Sequence, residues 1–145
     1  MPDYIVYDKP KLSVAYIVRD EIAFLPASLE QAEKIADEIV VVVDDRSADG
    51  TWQLLMDKIK DRGGSWEKWE ASQAGEGPYK IYWKKWHYGA SQKQFALEQC
   101  TKDFVLFIDG DEVLSDNCEI IKDFINSNPE GEAFSLLGHH LIYSL

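Results

Sequence analysis

Apolar residues fall along this chain in short unbroken runs separated by amphipathic stretches and polar turns. Leu12 to Val18 reads as a buried strand that ends in the polar cluster Arg19-Asp20-Glu21. Leu25, Leu29, Ala32 and Ala36 then recur at helical spacing, and Pro26 is tolerable in a first helical turn. Glu38 to Val43 is a second strand, too uniformly apolar to keep a solvent face. Runs of that kind belong to parallel sheets covered on both sides. The turn Asp44-Asp-Arg-Ser-Ala-Asp-Gly50 leads to Thr51, expected as a helix cap, and to an apolar face of Trp52, Leu55, Met56 and Ile59. Tyr79 to Lys84 alternates as a third strand. Tyr88 to Cys100 follows as a helix, with Phe95, Ala96 and Gln99 spanning about one turn. Phe104 to Ile108 is a further buried strand, Ile120, Ile121, Phe124 and Ile125 suggest a helix stopped at Asn128-Pro129, and Ala133 to Leu145 returns to strand-like sequence.

Strand–helix–strand–helix order predicts an α/β fold with a doubly wound, mostly parallel sheet. Its 145 residues suit a single domain, 1–145, with one core. Residues 61–78 interrupt the alternation with glycine-rich segments around Trp66 and Trp69. They predict a Trp-rich insertion at about 61–87 whose tryptophans pack onto the domain.

Charge narrows the partners. Fifteen basic and 26 acidic residues give −11, which argues against nucleic acid or an anionic membrane as the main partner. A phosphorylated small molecule remains compatible where a metal bridges two negative groups. Cys100 and Cys118 are isolated and form no ligand motif, so free thiols in the cytoplasm are expected. The N-terminus is polar and reads as no signal peptide. The longest apolar runs are far too short for a transmembrane segment.

Three strand ends carry polar clusters: Arg19-Asp20-Glu21, Asp44-Asp45, and Asp109-Gly-Asp111-Glu112. In an open parallel sheet, ligands bind beyond the carboxyl ends of the strands. Carboxylates crowded after Phe104–Ile108 repel one another, and hard oxygen ligands suit magnesium, calcium or manganese. Residues two apart on an extended chain share a face, so Asp109 and Asp111 are candidates to converge on one ion, with Gly110 admitting a ligand close to the backbone. An ordinary acidic turn is the plain alternative. No Gly-x-Gly-x-x-Gly follows the first strand and no P-loop is present. Asp44 or Asp45 is placed to accept hydrogen bonds from a base or ribose, and Lys93 to supply a positive charge.

Leu12-Ser-Val-Ala-Tyr-Ile-Val-Arg-Asp-Glu21, Ile39-Val-Val-Val-Val-Asp-Asp-Arg-Ser-Ala-Asp-Gly-Thr51, Gly89-Ala-Ser-Gln-Lys-Gln-Phe-Ala-Leu97 and Phe107-Ile-Asp-Gly-Asp-Glu112 together resemble the family-2 glycosyltransferases of GT-A fold. Order and approximate spacing match over roughly residues 11–115. The resemblance implies a nucleotide-diphospho-sugar transferase fold, a UDP-sugar donor and Mn2+ or Mg2+ at the Asp-x-Asp motif. By position it implies Asp111 on the metal, Asp109 beside it on metal or ribose, and Asp45 on the uracil or its ribose, with Asp44 as the fallback. Arg19 and Glu21 would line the nucleoside pocket, and Lys93 stands where relatives carry a basic residue near the donor.

Two departures from the family pattern stand out. The Trp-rich link is longer than in many relatives, and the acidic catalytic base expected well downstream of Asp111 has no convincing counterpart. Asp123, Glu130 and Glu132 read as solvated charges, and His139 and His140 would face opposite sides of a strand. The family reading is a metal-dependent, inverting glycosyltransferase that is short at its C-terminus, acting on a carbohydrate or lipid-linked acceptor. Self-association or a partner chain would cover the surface where the remainder packs. A nucleotide-sugar-binding module without the base is the alternative. A phosphatase-type Asp-x-Asp hydrolase needs further residues downstream and is the weakest reading.

Overall fold

The computed structural model describes residues 9–130, 133–135 and 141–144. His139, His140 and Glu132 lie outside the described residues. Strands β1 (Leu12–Val18), β2 (Glu38–Asp44), β3 (Gly64–Lys68), β4 (Ala71–Gln73), β5 (Tyr79–Lys84), β6 (Phe104–Phe107), β7 (Ala133–Ser135) and β8 (Leu141–Ser144) form one sheet in the order β4-β3-β5-β2-β1-β6-β8-β7. Between them run helices α1 (Leu25–Ala32), α2 (Thr51–Arg62), α3 (Gly89–Gln99) and α4 (Ile120–Ser127).

The five strands β3, β5, β2, β1 and β6 are mutually parallel, while β4 and β8 pair antiparallel at β3 and β6. Central strands β1 and β2 are buried almost throughout, as unbroken apolar runs require when both faces are covered. On one face, Val14, Tyr16, Val41 and Val43 pack with Leu25 and Leu29 of α1, Leu55 of α2, and Ile121 and Ile125 of α4. On the other, Ala15, Val40 and Val105 pack with Leu97 and Cys100 at the end of α3. Helices on both faces make the sheet doubly wound.

Two local expectations need correction. Thr51 does not cap α2: it is the first helical residue and fully buried, and Asp49 accepts from its N–H at 2.8 Å and its hydroxyl at 2.5 Å. Helix α3 forms where expected and buries Gln92 and Ala96, with Phe95 half-buried edge-on to Tyr82 at 5.3 Å between ring centroids. Residues 61–73 are also not loop: Asp61 and Arg62 close α2, and 64–73 supply β3 and the β3–β4 hairpin that extend the sheet beyond β5. Residues 74–78 connect to β5 without regular structure, as expected. Gly63-Gly64 resembles a linker in sequence, but Gly64 sits at φ +150° where a Cβ would lie 2.0 Å from the Tyr79 carbonyl oxygen. Glycine lets β3 start flush against β5 there. Trp66 packs on the main core, whereas Trp69 is 77 % exposed.

A buried carboxylate ties the opposite, amino-terminal end of the sheet. Glu38 accepts from the Ser13 hydroxyl (2.9 Å), the Thr101 N–H and hydroxyl (both 2.8 Å) and Lys80 Nζ (2.6 Å). These partners join β1, β2, β5 and the α3–β6 connection, and hold its carboxyl below the ordinary range despite burial.

Candidate active site at the carboxyl ends of the strands

Because β1, β2 and β6 run parallel, their three polar clusters emerge at one sheet edge. A cavity of about 600 Å³ opens there, lined by Ile17, Val18, Arg19 and Glu21 from the β1 end, Asp44 and Arg46 from the β2 end, Trp86, Gly89, Ala90 and Lys93 around the start of α3, and Asp109. Arg19, Glu21, Asp44, Lys93 and Asp109, all picked out from sequence, thus share one cavity. Asp45 and Asp111 are not on its wall.

Loops after β1 and β2 are stitched together by carboxylates. Asp20, at φ +49°, accepts from the N–H groups of Ala48 (2.6 Å) and Asp49 (3.1 Å), and its own N–H donates to Ser47 Oγ at 3.0 Å. Asp49 accepts from the Ile22 N–H at 3.2 Å, and Thr51 Oγ1 accepts from the Glu21 N–H at 2.9 Å. Arg19 and Glu21 are therefore carried on a braced turn, and Asp20 spends its carboxylate on backbone rather than ligand.

Asp44 and Asp45 divide into two roles. Asp44 is buried and gripped by Arg46, with Nη2 to Oδ2 at 2.6 Å, Nε to Oδ1 at 3.0 Å and the Arg46 N–H to Oδ1 at 2.9 Å. That guanidinium holds the Asp44 carboxyl below the usual carboxylate range. It also lies 5.3 Å over the Trp86 ring, so cation and indole form one wall. Asp45 instead uses its N–H on the Lys84 carbonyl (2.9 Å), while its Oδ1 accepts from the Trp86 N–H at 3.4 Å. Asp45 positions the wall that Arg46 and Trp86 present.

Opposite that wall stand the acids. Glu112 Oε1 accepts from the Asp109 N–H at 3.0 Å, and the Asp109 carbonyl accepts from the Glu112 N–H at 2.9 Å. Burial raises the Asp109 carboxyl above its ordinary value, and the negative charges of Glu112 and Asp111 add to the shift while Lys93 opposes it. Glu21 is raised likewise, by burial first and then by Asp111 and Asp109. Carboxylates held against their own repulsion mark a place where positive charge is missing. Gly110 is buried beneath them. A Cβ there would meet Glu21 Cγ at 2.7 Å and Val18 Cγ1 at 2.9 Å, so the close approach it permits is to the β1 end and not to a ligand.

Among the described residues no three His, Cys, Asp or Glu side chains gather into a ready-made metal cage. Magnesium and manganese need none, since one or two carboxylates completed by substrate phosphates and water suffice. Hard oxygens under mutual repulsion fit such an ion. The first turn of α3 has no side-chain cap, and Gly89 and Ala90 line the cavity, so unsatisfied backbone N–H groups adjoin Lys93 there.

Arg46, Trp86, the apolar floor of Ile17 and Val18, and the start of α3 were not singled out from sequence as site residues. Arg46 follows two aspartates and offered a signal; Trp86 is brought in only by the β5–α3 connection.

Known proteins resemble this chain in sequence and in fold. Residues 13–131 match the family described as Glycosyl transferase family 2. The chain is 37% identical over 106 residues to the lipopolysaccharide core biosynthesis glycosyltransferase LpsC of Rhizobium meliloti, a match covering 73% of this chain and 33% of LpsC. It is 32% identical over 105 residues to an uncharacterized glycosyltransferase of Rickettsia felis, covering 72% of this chain and 30% of that one. This chain thus spans about a third of the length of these curated relatives. Among solved structures, the mannosyltransferase PcManGT of Pyrobaculum calidifontis, in complex with GDP-Man and Mn2+, superposes with a TM-score of 0.72 at 14% identity, covering 94% of this chain and 45% of that one. TarS of S. aureus, residues 1–349, gives 0.63 at 20% identity, covering 86% of this chain and 34% of TarS. These likenesses establish the fold, and with the family match the chain belongs to the family-2 glycosyltransferases of GT-A fold.

Proposed function

We propose that the cavity binds a nucleotide-sugar donor, a UDP-sugar in the first instance, for metal-dependent, inverting transfer of the sugar to a carbohydrate or lipid-linked acceptor. The observation that carries the reading is the assembly of Arg19, Glu21, Asp44, Lys93 and Asp109 around one cavity at the carboxyl edge of a parallel sheet. Trp86 and Arg46 give a flat wall suited to a nucleobase, with Arg19, Glu21 and Asp44 on the cavity beside it. Asp45 stands behind that wall, accepting from the Trp86 N–H, as the carboxylate nearest the nucleoside outside the lining. Lys93 and the first N–H groups of α3 suit the diphosphate. Asp109 and Asp111 would hold Mn2+ or Mg2+, which supplies charge neutralisation for the diphosphate. The PcManGT and Mycobacterium tuberculosis glucosyl-3-phosphoglycerate synthase complexes contain Mn2+ with GDP-Man or UDP, which supports the same assignment. A cytoplasmic location belongs to this reading and is supported by Cys100 and Cys118 being free thiols.

A second reading has a specific observation behind it: donor binding without efficient transfer. Among the described residues, none beyond Asp109 lines the cavity, and Asp116 is occupied by Gln31 Nε2 at 2.6 Å. No downstream carboxylate is therefore assigned as base. Calorimetry with UDP tests the shared part of both readings. Binding should appear with manganese and vanish in EDTA or in Asp111→Ala. Equal affinity with and without metal would refute the metal-bridged donor site.

A further inference from the structure

A second cluster lies at the same end of the sheet, on the face covered by α1 and α2. The ammonium of Lys68, the last residue of β3, sits 4.2 Å from the Trp83 ring centroid, 4.7 Å from Trp69 and 5.1 Å from Trp52. The indoles brace one another edge-on: Trp52–Trp83 at 5.4 Å, Trp69–Trp83 at 5.9 Å and Trp52–Trp66 at 6.2 Å. Nothing in the donor site uses them.

Trp69 is the informative member. It occupies the β3–β4 turn at φ +50°, a left-handed conformation that glycine adopts freely and a bulky residue adopts at a cost. Its indole is 77 % exposed, although one side of the ring meets Trp83 and Lys68. A residue that is both strained and exposed contributes little to the core, so the conformation is explained by what the ring presents. Trp83 and Lys68 fix the ring's orientation before any ligand arrives, which lowers the ordering cost of binding.

From this geometry we infer that Trp69, Trp83 and Lys68 form a saccharide-binding platform, separate from the donor cavity. The inference rests on the glycosyltransferase reading above. A pyranose ring offers a face of polarised C–H bonds to an electron-rich indole and a rim of hydroxyl oxygens to the three ammonium donors of Lys68. The platform shares the carboxyl end of the sheet with the donor cavity but stands on the opposite face, so an acceptor chain would reach the donor by crossing that edge. Trp83 lies directly across from Val43 on β2, whose side chain faces away from that of Asp44, and Lys68 one strand further. At roughly 4.8 Å per strand, the platform stands about 5–10 Å across the sheet from β2.

The test uses Trp69→Gly, which removes the ring and relieves the backbone, together with Lys68→Met. The probe is the core oligosaccharide released from bacterial lipopolysaccharide by mild acid, with binding followed by calorimetry and by saturation-transfer NMR. Wild type should bind it, and each variant should lose about 10-fold or more in affinity. Trp69→Gly should keep or raise the melting temperature, and both variants should bind UDP with manganese as wild type does. A wild-type chain that binds UDP but not the saccharide overturns the platform, as does a Trp69→Gly chain that binds the saccharide unchanged. A large drop in melting temperature in Trp69→Gly assigns the ring to stability and overturns it too. Loss confined to sedimentation with phosphatidylglycerol vesicles would assign the surface to membrane contact instead. Saccharide binding that depends on Trp69 in a chain that does not bind UDP would keep the platform and sink the donor reading.

Discussion

Arg46 and Asp44 form a two-pronged ion pair in which a buried carboxylate fixes an exposed guanidinium against the face of Trp86. The pair couples the interior of β2 to the wall of the cavity, so damage on either side should be felt on the other. Removing Arg46 leaves a buried acid without its partner, which costs more than removing both members. Arg46→Met should therefore lower both melting temperature and UDP affinity, while Asp44→Asn/Arg46→Met should recover much of the stability but not the affinity. A double-mutant cycle by thermal melting decides this, and additive losses would show that the pair is not coupled.

Glu38 supplies a pH-dependent share of stability. Its folded carboxyl titrates below the ordinary value of about 4.3, held there by Lys80, Thr101 and Ser13. A depressed carboxylate pKa stabilises the fold above the unfolded value, and that contribution disappears as pH falls through the folded one. Glu38→Gln should cost about 1–3 kcal/mol at pH 7, the scale of lost charged hydrogen bonds. Urea unfolding should show the gap to wild type closing as pH drops below about 4. A gap of constant size down to pH 3 would mean that Glu38 acts by packing alone.

How much of this was legible beforehand depends on where the information sits. The limits of β1 and β2 could be read almost to the residue, since an unbroken apolar run between charged ends has one way to be buried. The shared edge of Glu21, Asp44 and Asp109 followed from parallel strands alone. Residues 61–73 were misread because Gly63-Gly64 carries no side-chain pattern, and only the approach of Glu76 and Gly77 to Gly63 and of Tyr79 to Gly64 explains those glycines. Arg46 and Trp86 were missed as site residues because their partnership is tertiary: they stand 40 positions apart in the sequence. The role of Asp20 was equally hidden, since a carboxylate that braces a turn and one that awaits a metal look alike in a string of letters.

Asp20 makes that distinction testable. Asparagine tolerates the left-handed backbone and keeps an acceptor oxygen for the Ala48 and Asp49 N–H groups, whereas alanine does neither. Asp20→Asn should bind UDP within about twofold of wild type. Asp20→Ala should lose about 1–2 kcal/mol of stability and bind UDP more weakly. If Asn fails as badly as Ala in calorimetry, the charge itself serves the site.

Gly110 should resist even a methyl group. A Cβ 2.9 Å from Val18 Cγ1 meets a nearly fully buried side chain, and the Glu21 stem at 2.7 Å blocks the other way out. Gly110→Ala should cost about 1–3 kcal/mol, as overpacking does, and should displace Asp109 and Asp111 enough to weaken manganese-dependent UDP binding. Val18→Ala placed in the same chain should restore part of both. Wild-type behaviour of Gly110→Ala would mean that the β1 end yields more easily than its packing implies.

Turnover separates the two readings of the cavity. General-base assistance is worth about 10²–10⁴-fold in rate, so a donor site with no base should bind tightly and release UDP slowly, to water rather than to an acceptor. Adding saccharide or lipid-linked acceptors to the purified chain should then leave the rate of UDP release unchanged. Glu112 is the one nearby carboxylate whose role is open to direct trial. Its bond to the Asp109 N–H assigns it to holding the acidic loop, and glutamine keeps an oxygen for that bond. Glu112→Gln should accordingly preserve UDP binding and the slow release alike. An acceptor-dependent rate in wild type that collapses in Glu112→Gln would make Glu112 the base.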